Sequence, residues 1–385
     1  MAEKKNDYLE YYGKYHLSPV KQNIEKIDTH YKRREKLYRQ LGMPYIMFSQ
    51  KIVCEVGPGS GYNSLVFLSD KWKVKHLDLV EANAAGIEDM KELFNEYGVD
   101  ESRYTIHNST IENYKPQQEY DVVIAEGFLQ YLPNQEEVIK KILSITKPGG
   151  VIVITCADDI CFYIEQMKRL IAHVLTVGVS DFDEKVDILV KEFAPQLKSL
   201  KGMSRLPEDW VKDQLLNPAG LNDSSLSMVD AMDYFGKEAD YLGSSPRMFT
   251  DYSWYKDIWF DYIADCKRQF ALKNANLMLA NMKEEIRVVS SEMVELRELI
   301  SHSKLLSREY ENTKNQHLLD EIFKCHIQVQ KIMGDKSADL SVVLSQIRDA
   351  LQDVLEDIDE FDFAKYPQFF SAFGRTLQYM SFVKK

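Results

Sequence analysis

The sequence predicts an α/β protein: a doubly wound, Rossmann-like parallel sheet, a helical insertion, and an all-helical C-terminal region. Three observations predict it. A short apolar run, Ile52-Val53-Cys54-Glu55-Val56, stops abruptly at Gly57-Pro58-Gly59-Ser60-Gly61, as a buried parallel strand entering a tight turn does. Further apolar runs alternate with stretches of helical spacing as far as Cys156, the pattern of βαβ units. Beyond Leu272, apolar residues step by three and four with no strand-like alternation.

In chain order, residues 8–41 carry aromatic and charged residues at helical spacing, broken at Gly42-Met43-Pro44. The first strand and its turn lead into a helix from Tyr62 to Ser69. A second strand ends in His76–Glu81, followed by the helix Ala84–Tyr97. The third strand is Tyr104–His107 and the fourth Tyr120–Ala125, followed by the helix Gln135–Thr146. Lys147-Pro148-Gly149-Gly150 reads as a turn before the fifth strand, Val151–Thr155. From about residue 158 to 240 several helices are expected, interrupted at Pro195, Pro207 and Pro218. An irregular aromatic segment, residues 241–256, follows. Leu272, Ala275, Leu279, Met282, Ile286, Val289, Met293, Leu296 and Ile300 form an a/d seam, echoed by Leu319, Ile322, His326, Val329 and Met333. The seam fits a bundle within one chain and a homodimer equally well. The expected division is 1–45 helical cap, 46–158 core, 159–270 insertion and 271–385 helical tail.

Composition narrows the function. A chain of 385 residues suggests about two to three domains. With 45% hydrophobic and 28% charged residues it can bury a core. A net charge of −12 argues against a dedicated nucleic-acid binder. No apolar run approaches the ~18 residues of a membrane span, and the polar start MAEKKNDYLE carries no apolar leader core. The five cysteines include no CxxC pair, so neither a disulfide framework nor a metal site is expected, and a reducing, cytoplasmic setting is the default.

The stretch Glu55–Gly61 is the most informative. Its G-x-G-x-G spacing places Tyr62 where the dinucleotide fingerprint needs its third glycine. Glu55 before the turn would repel a pyrophosphate and attract a cationic ligand. Glu81, ending the next strand, suits two ribose hydroxyls. On these residues, with Asp121–Leu132 (DVVIAEGFLQYL) and Lys147–Ile154 (KPGGVIVI), the chain from about 50 to 156 resembles class I S-adenosylmethionine-dependent methyltransferases. The resemblance implies a methyltransferase sheet closed by an antiparallel hairpin, with S-adenosylmethionine bound and S-adenosylhomocysteine released. It implies cofactor contacts from Glu55, Gly57, Gly59, Gly61, Glu81 and Ala82. Asn108, Ser109 and Thr110 would serve the adenine, and Glu126 and Gly127 would line the methyl end.

Methyl transfer is an in-line displacement that demands alignment and exclusion of water. A hydroxyl acceptor also needs a base. His173, Asp158, Asp159 and Glu126 are the candidates; one of Asp158 and Asp159 is expected to cap the next helix. Gln22, His30 and Arg33 on the N-terminal segment, with Tyr131, are candidate acceptor contacts. Arg247, Tyr252, Trp254 and Lys256 in the Ser-Ser-Pro-Arg aromatic run suit a phosphate and a stacked ring. The arrangement is similar to methyltransferases of bacterial surface-polysaccharide clusters. That similarity implies O-methylation of a sugar, in a nucleotide-activated hexose or heptose used in capsule or lipopolysaccharide synthesis. The alternatives are an N-methyltransferase of a protein or small molecule, and a non-catalytic scaffold acting through its C-terminal helices.

Overall fold

The computed structural model describes all residues except 1–6, 16, 18–26, 201–204, 222–224, 258–260, 283 and 359–360. Along the chain run α1 (Asp7–Lys14), α2 (Ile27–Gln40), β1 (Ile52–Val56), α3 (Ser64–Leu68), β2 (His76–Glu81), α4 (Ala84–Glu96), β3 (Tyr104–Asn108), β4 (Tyr120–Ala125), α5 (Gln135–Ile145) and β5 (Thr146–Cys156). There follow α6 (Tyr163–Leu175), α7 (Phe182–Ser199), α8 (Pro207–Trp210), α9 (Met228–Phe235), β6 (Ala239–Ser245) and α10 (Tyr262–Lys273). The chain ends with α11 (Ser290–Thr313), α12 (Gln316–Met333), α13 (Ala338–Glu356), α14 (Pro367–Ser371) and β7 (Gln378–Lys384).

The chain forms two interleaved compact units rather than consecutive segments. The first holds residues 1–157, 224–267 and 377–385; the second holds 158–223 and 268–376. The division therefore differs from the linear one read from the sequence: the N-terminal helices, the 241–256 run and the last residues all belong with the sheet.

In the first unit a seven-stranded sheet has the order β3-β2-β1-β4-β5-β7-β6. The first five strands are parallel, and β7 lies antiparallel between β5 and β6. The chain steps outward from β1 in both directions, so the topological switch lies between β1 and β4, where such sheets bind ligands beyond the strand ends. The central strands are buried on both faces, which explains their unbroken apolar composition. The antiparallel hairpin implied by the resemblance is present, assembled from strands more than 130 residues apart. Its outer strand takes residues 241–245 of the run read as irregular. Its inner strand lies within the tail read as all-helical, which corrects that reading. Gln378, Met380 and Phe382 alternate into the core, a period-2 signal too short to separate from helix by sequence alone.

Helix α2 is fastened by an aromatic cluster. The Tyr38 ring stands edge-on to Phe48, Phe67 and Trp72, at centroid distances of 5.2, 5.7 and 5.4 Å. Such pairs contribute about 0.5–1.5 kcal/mol each beyond area burial. They hold one face of the helix, and with it Arg34, toward the sheet.

The second unit packs α6, α7 and α11–α13 around one apolar cluster. The expected continuous seam over 272–300 is broken. Asn276 accepts from the Ile286 N–H at 2.6 Å and donates to the Ile286 and Lys273 carbonyls at 3.1 and 3.0 Å. This side chain closes a non-helical turn, and helix resumes only at Ser290. Ala275, Ile286, Met293, Leu296 and Ile300 are nevertheless buried in the same cluster, as are Leu319, Ile322, Val329 and Met333 of α12. Their spacing reports a core within the unit.

Candidate functional site

The site grows from the end of β1. Gly57, Gly59 and Gly61 all adopt left-handed backbone, with φ of 68°, 58° and 79°, a region open to glycine at little cost. At Gly57 a Cβ would also come within 2.9 Å of the Phe128 ring, so the turn leaves no room for a side chain there. Glu81, at the end of β2, closes the turn from the side: Gly59 N–H donates to its Oε2 and Asn83 N–H to its Oε1, each at 2.8 Å. A carboxylate has about four acceptor positions, so both oxygens keep capacity for hydroxyl donors. Burial raises the Glu81 carboxyl above its ordinary value, against the pull of the Asn83 and Gly59 amides.

Glu55 lies at the adjacent strand end, 3% exposed, and accepts from the Ser64 hydroxyl at 2.5 Å. Burial lifts its carboxyl to about 7; Ser64 opposes the shift and the nearby Glu126 adds to it. Glu126, following β4, is gripped from α2. Arg34 Nη2 donates to its Oε2 at 2.7 Å and its Oε1 at 2.9 Å, and the Tyr38 hydroxyl donates to Oε1 at 2.7 Å. Burial and the neighbouring Glu126 keep the Tyr38 phenol protonated far above its ordinary value, so it remains a donor. One turn earlier on the same face, His30 Nε2 donates to the Tyr62 carbonyl at 3.1 Å, fastening α2 over the glycine turn. Burial first, then Arg34, lowers the His30 pKa to about 4, so the ring is neutral at pH 7.

The structure thus gathers Glu55, Gly57, Gly59, Gly61, Glu81 and Glu126 at the strand ends, with His30 above them. Ala82 follows Glu81, and Asn108 is its register partner on β3. Ser109 N–H donates to the Glu81 carbonyl at 3.1 Å, and Thr110 follows. Gly127, with φ 87°, donates from its N–H to Thr155 Oγ1 at 2.7 Å. Tyr131 stands in the short turn after β4. Gln22 lies outside the described residues. Arg33 is exposed, whereas its neighbour Arg34 is 6% exposed and reaches Glu126. The signal for Arg34 was present as the i, i+4, i+8 series His30–Arg34–Tyr38 on one helical face.

Three of the candidate bases belong to the second unit and are engaged there. Asp158 accepts from the Ile160 and Cys161 N–H groups at 3.0 and 3.3 Å and from the Asn274 amide; the expected capping role falls to it. Burial raises its carboxyl to about 6, with Arg297 pulling the other way. Asp159 pairs with Lys304 at 2.8 Å and Ser301 at 3.1 Å. His173 is held to a pKa of about 2 by burial and then by Arg169, which leaves it a poor proton acceptor at neutral pH. In the first unit, Arg247 does not present an open fork. Its Nε and Nη2 donate to the Gln40 and Arg39 carbonyls at 3.3 and 3.2 Å, capping the end of α2. Tyr252, Trp254 and Tyr255 are 94, 59 and 71% exposed, and Lys256 Nζ stands 4.9 Å from the Trp254 ring centre. Among the described residues no group of three or more His, Cys, Asp or Glu is placed to hold a metal, and no helix is long and apolar enough to cross a membrane.

Residues 29–181 match a family described as a methyltransferase domain. The trans-aconitate 2-methyltransferase of Escherichia coli O139:H28 is 26% identical over 109 residues, 28% of this chain and 40% of that protein. A ubiquinone biosynthesis O-methyltransferase of Rickettsia canadensis is 26% identical over 159 residues, 41% of this chain and 55% of that one. The chain therefore spans about half or less of the curated relatives it matches. The solved structure of the N-methyltransferase NodS from Bradyrhizobium japonicum, bound to S-adenosylhomocysteine, aligns at 15% identity with a TM-score of 0.31, covering 40% of this chain and 75% of that one. The family match begins in α2 and takes in the glycine turn, Glu81 and Glu126.

Proposed function

We propose that this chain is an S-adenosylmethionine-dependent methyltransferase acting on a sugar hydroxyl, in a nucleotide-activated hexose or heptose. The observation that carries the cofactor reading is the all-left-handed glycine turn, braced by Glu81 through the Gly59 amide at the β1–β4 switch. The residues fit the cofactor: Gly57 allows close approach, Glu81 keeps acceptor capacity for ribose hydroxyls, and Glu55 with Glu126 sets negative charge where an ammonium and a sulfonium need it. Bound there, S-adenosylmethionine supplies a methyl group on an excellent leaving group. The chain's own work is to orient the acceptor and keep water out.

The acceptor reading is supported by the exposed aromatic run. Trp254 and Tyr255 offer flat faces for a sugar or base, and Lys256 offers a cation beside them for a phosphate. A second reading is favoured by a separate observation: Glu126, Asp158 and Asp159 are hydrogen-bonded or ion-paired, and burial holds His173 far below its ordinary pKa. An amine or carboxylate acceptor needs no strong base, so an N- or carboxyl-methyltransferase competes with the sugar reading. The test is mass spectrometry of nucleotide sugars, small amines and carboxylic acids incubated with protein and S-adenosylmethionine. Mass gain of one methylene on a nucleotide sugar supports the proposal. Gain on an amine or acid instead replaces the acceptor. No gain and no cofactor binding places a non-catalytic scaffold first.

A further inference from the structure

At the end of the sheet opposite the glycine turn, two short segments meet just ahead of β1 and β2. One is the turn Tyr45–Phe48 with Gln50 and Lys51; the other is residues 71–75. Backbone and side chains tie them together. Gln50 N–H donates to the Lys73 carbonyl at 2.8 Å, and Lys75 N–H to the Lys51 carbonyl at 2.9 Å. The buried rings of Phe48 and Trp72 meet at 4.7 Å between centroids, and Lys71 Nζ stands 4.9 Å from the centre of the Tyr45 ring. Gln50 and Lys73 both hold left-handed backbone, with φ of 61° and 49°. Residues with side chains rarely adopt it, and such outliers persist where the surroundings over-determine them, often at functional sites.

This braced frame presents an unusual surface. Trp72 and Val74 turn into the core, while Lys71, Lys73, Lys75 and Lys51 are exposed. On the adjoining turn Ile46 and Met47 are 64 and 37% exposed. The acids nearby are already shared: Glu35 pairs with Lys71 and Arg39, and Asp121 with Lys147. Cations gathered around bare aliphatic side chains stand out on a chain of net charge −12. We propose that this face docks the chain reversibly on an anionic lipid surface, with the lysines among the headgroups and Ile46 and Met47 at the acyl boundary. Lysine is depleted from protein–protein interfaces, where arginine is enriched, and the four exposed cations of these two segments are lysines. Their stems can lie along apolar surface while the ammonium stays in the headgroup layer. Two aliphatic side chains anchor weakly, and a polybasic patch supplies the second signal that attachment needs. The acidic remainder of the chain is repelled by the same surface, so charge selects this face. β1 runs five residues, about 16 Å, from the patch to the glycine turn. Docking therefore leaves the crevice open to water, and the inference holds whichever acceptor the crevice takes.

The experiment is co-sedimentation of the full chain with vesicles of phosphatidylcholine alone and with phosphatidylglycerol added to roughly a third. The chain should partition at least about 10-fold better onto the anionic vesicles, and raising the ionic strength to about 0.5 M should erase most of the gain. Lys73→Gln/Lys75→Gln removes two cations, at about 5-fold each, and should weaken partitioning roughly 25-fold. Lys73→Arg/Lys75→Arg keeps the charge and should bind as the unaltered chain does. Ile46→Ser/Met47→Ser should weaken binding at least about 10-fold by removing the apolar contact. All these positions are exposed, and an unchanged urea midpoint verifies the fold of each variant. Equal partitioning onto the two vesicles, or full binding by the glutamine variant, overturns the inference. Retention on immobilised poly-glutamate without vesicle binding assigns the face to an acidic protein and overturns it as well.

Discussion

Two buried arginine–glutamate pairs divide the labour of this chain. Arg169 and Glu311, in the helical unit, meet fork to fork, and a Cβ at Gly220 would collide with Arg169 Nη1 at 2.7 Å. Nothing is left over, and the pair serves the fold. Arg34 and Glu126, in the sheet unit, meet through one nitrogen, with Nε unpartnered and the carboxylate shared with Tyr38. The difference teaches that a buried ion pair is read from what remains unsatisfied. The complete pair also accounts for His173, whose Nε2 stands 3.2 Å from Glu311 beside the Arg169 cation. Its neutral ring belongs to a structural cluster.

Breaking the completed pair should have the largest effect. Arg169→Met leaves Glu311 without its fork, and loss of one partner of a buried pair costs about 3–5 kcal/mol. Urea denaturation should show it as a lower midpoint, with much of the loss regained in Arg169→Met/Glu311→Leu. An unchanged midpoint would mean that the pair does not hold the fold.

The turn beside the second pair should respond through binding. Gly59→Val puts a β-branched residue at φ 58°, a conformation costing about 1–3 kcal/mol, and blocks backbone approach. Affinity for S-adenosylhomocysteine should fall at least about 10-fold. Equal affinity in calorimetry would remove the turn from the site.

The carboxyl cluster predicts a pH effect of definite sign. Glu55 has an ordinary pKa of 4.5, raised to about 7 in the folded chain. Its protonated form favours the fold, so this contribution is complete below about 4.5 and is lost as pH rises through about 7. Binding of a cationic ligand runs oppositely, because it favours ionised Glu55. Affinity for S-adenosylmethionine should climb roughly 10-fold between pH 6 and 8, and Glu55→Gln should flatten the climb. A parallel climb in the variant would assign the titration to another group.

The exposed aromatic run should show the smallest change in stability. Trp254→Ala should alter the free energy of unfolding by no more than about 0.5 kcal/mol while raising KM for a nucleotide-sugar acceptor. An unchanged KM would release this surface from acceptor binding.

Much of the sheet unit was legible because its signals are local. The apolar runs of β1, β2, β4 and β5 and the glycine turn are each written in a few consecutive residues, with Glu55 and Glu81 at strand ends, and parallel burial enforces the composition of the strands. The N-terminal contact was legible only to within one residue. Arg33 and Arg34 are equivalent in composition, and helical phase, set by the packing of Tyr38 against Phe48, Phe67 and Trp72, decides which faces inward.

By itself, the sequence determined the parallel core, the glycine turn with its flanking acids, and the helical character of most of the remaining chain, because these follow from periodicity and backbone sterics over short spans. Tertiary structure alone decided that Gln378–Lys384 enters the sheet between β5 and β6, that Asn276 breaks the apparent seam, and that Asp158, Asp159 and His173 are bound up in the helical unit. These outcomes depend on partners far away in sequence. Pairing a strand, closing a turn or filling the fork of an arginine is set by which distant groups packing brings within hydrogen-bond reach, and spacing along the chain carries no record of that.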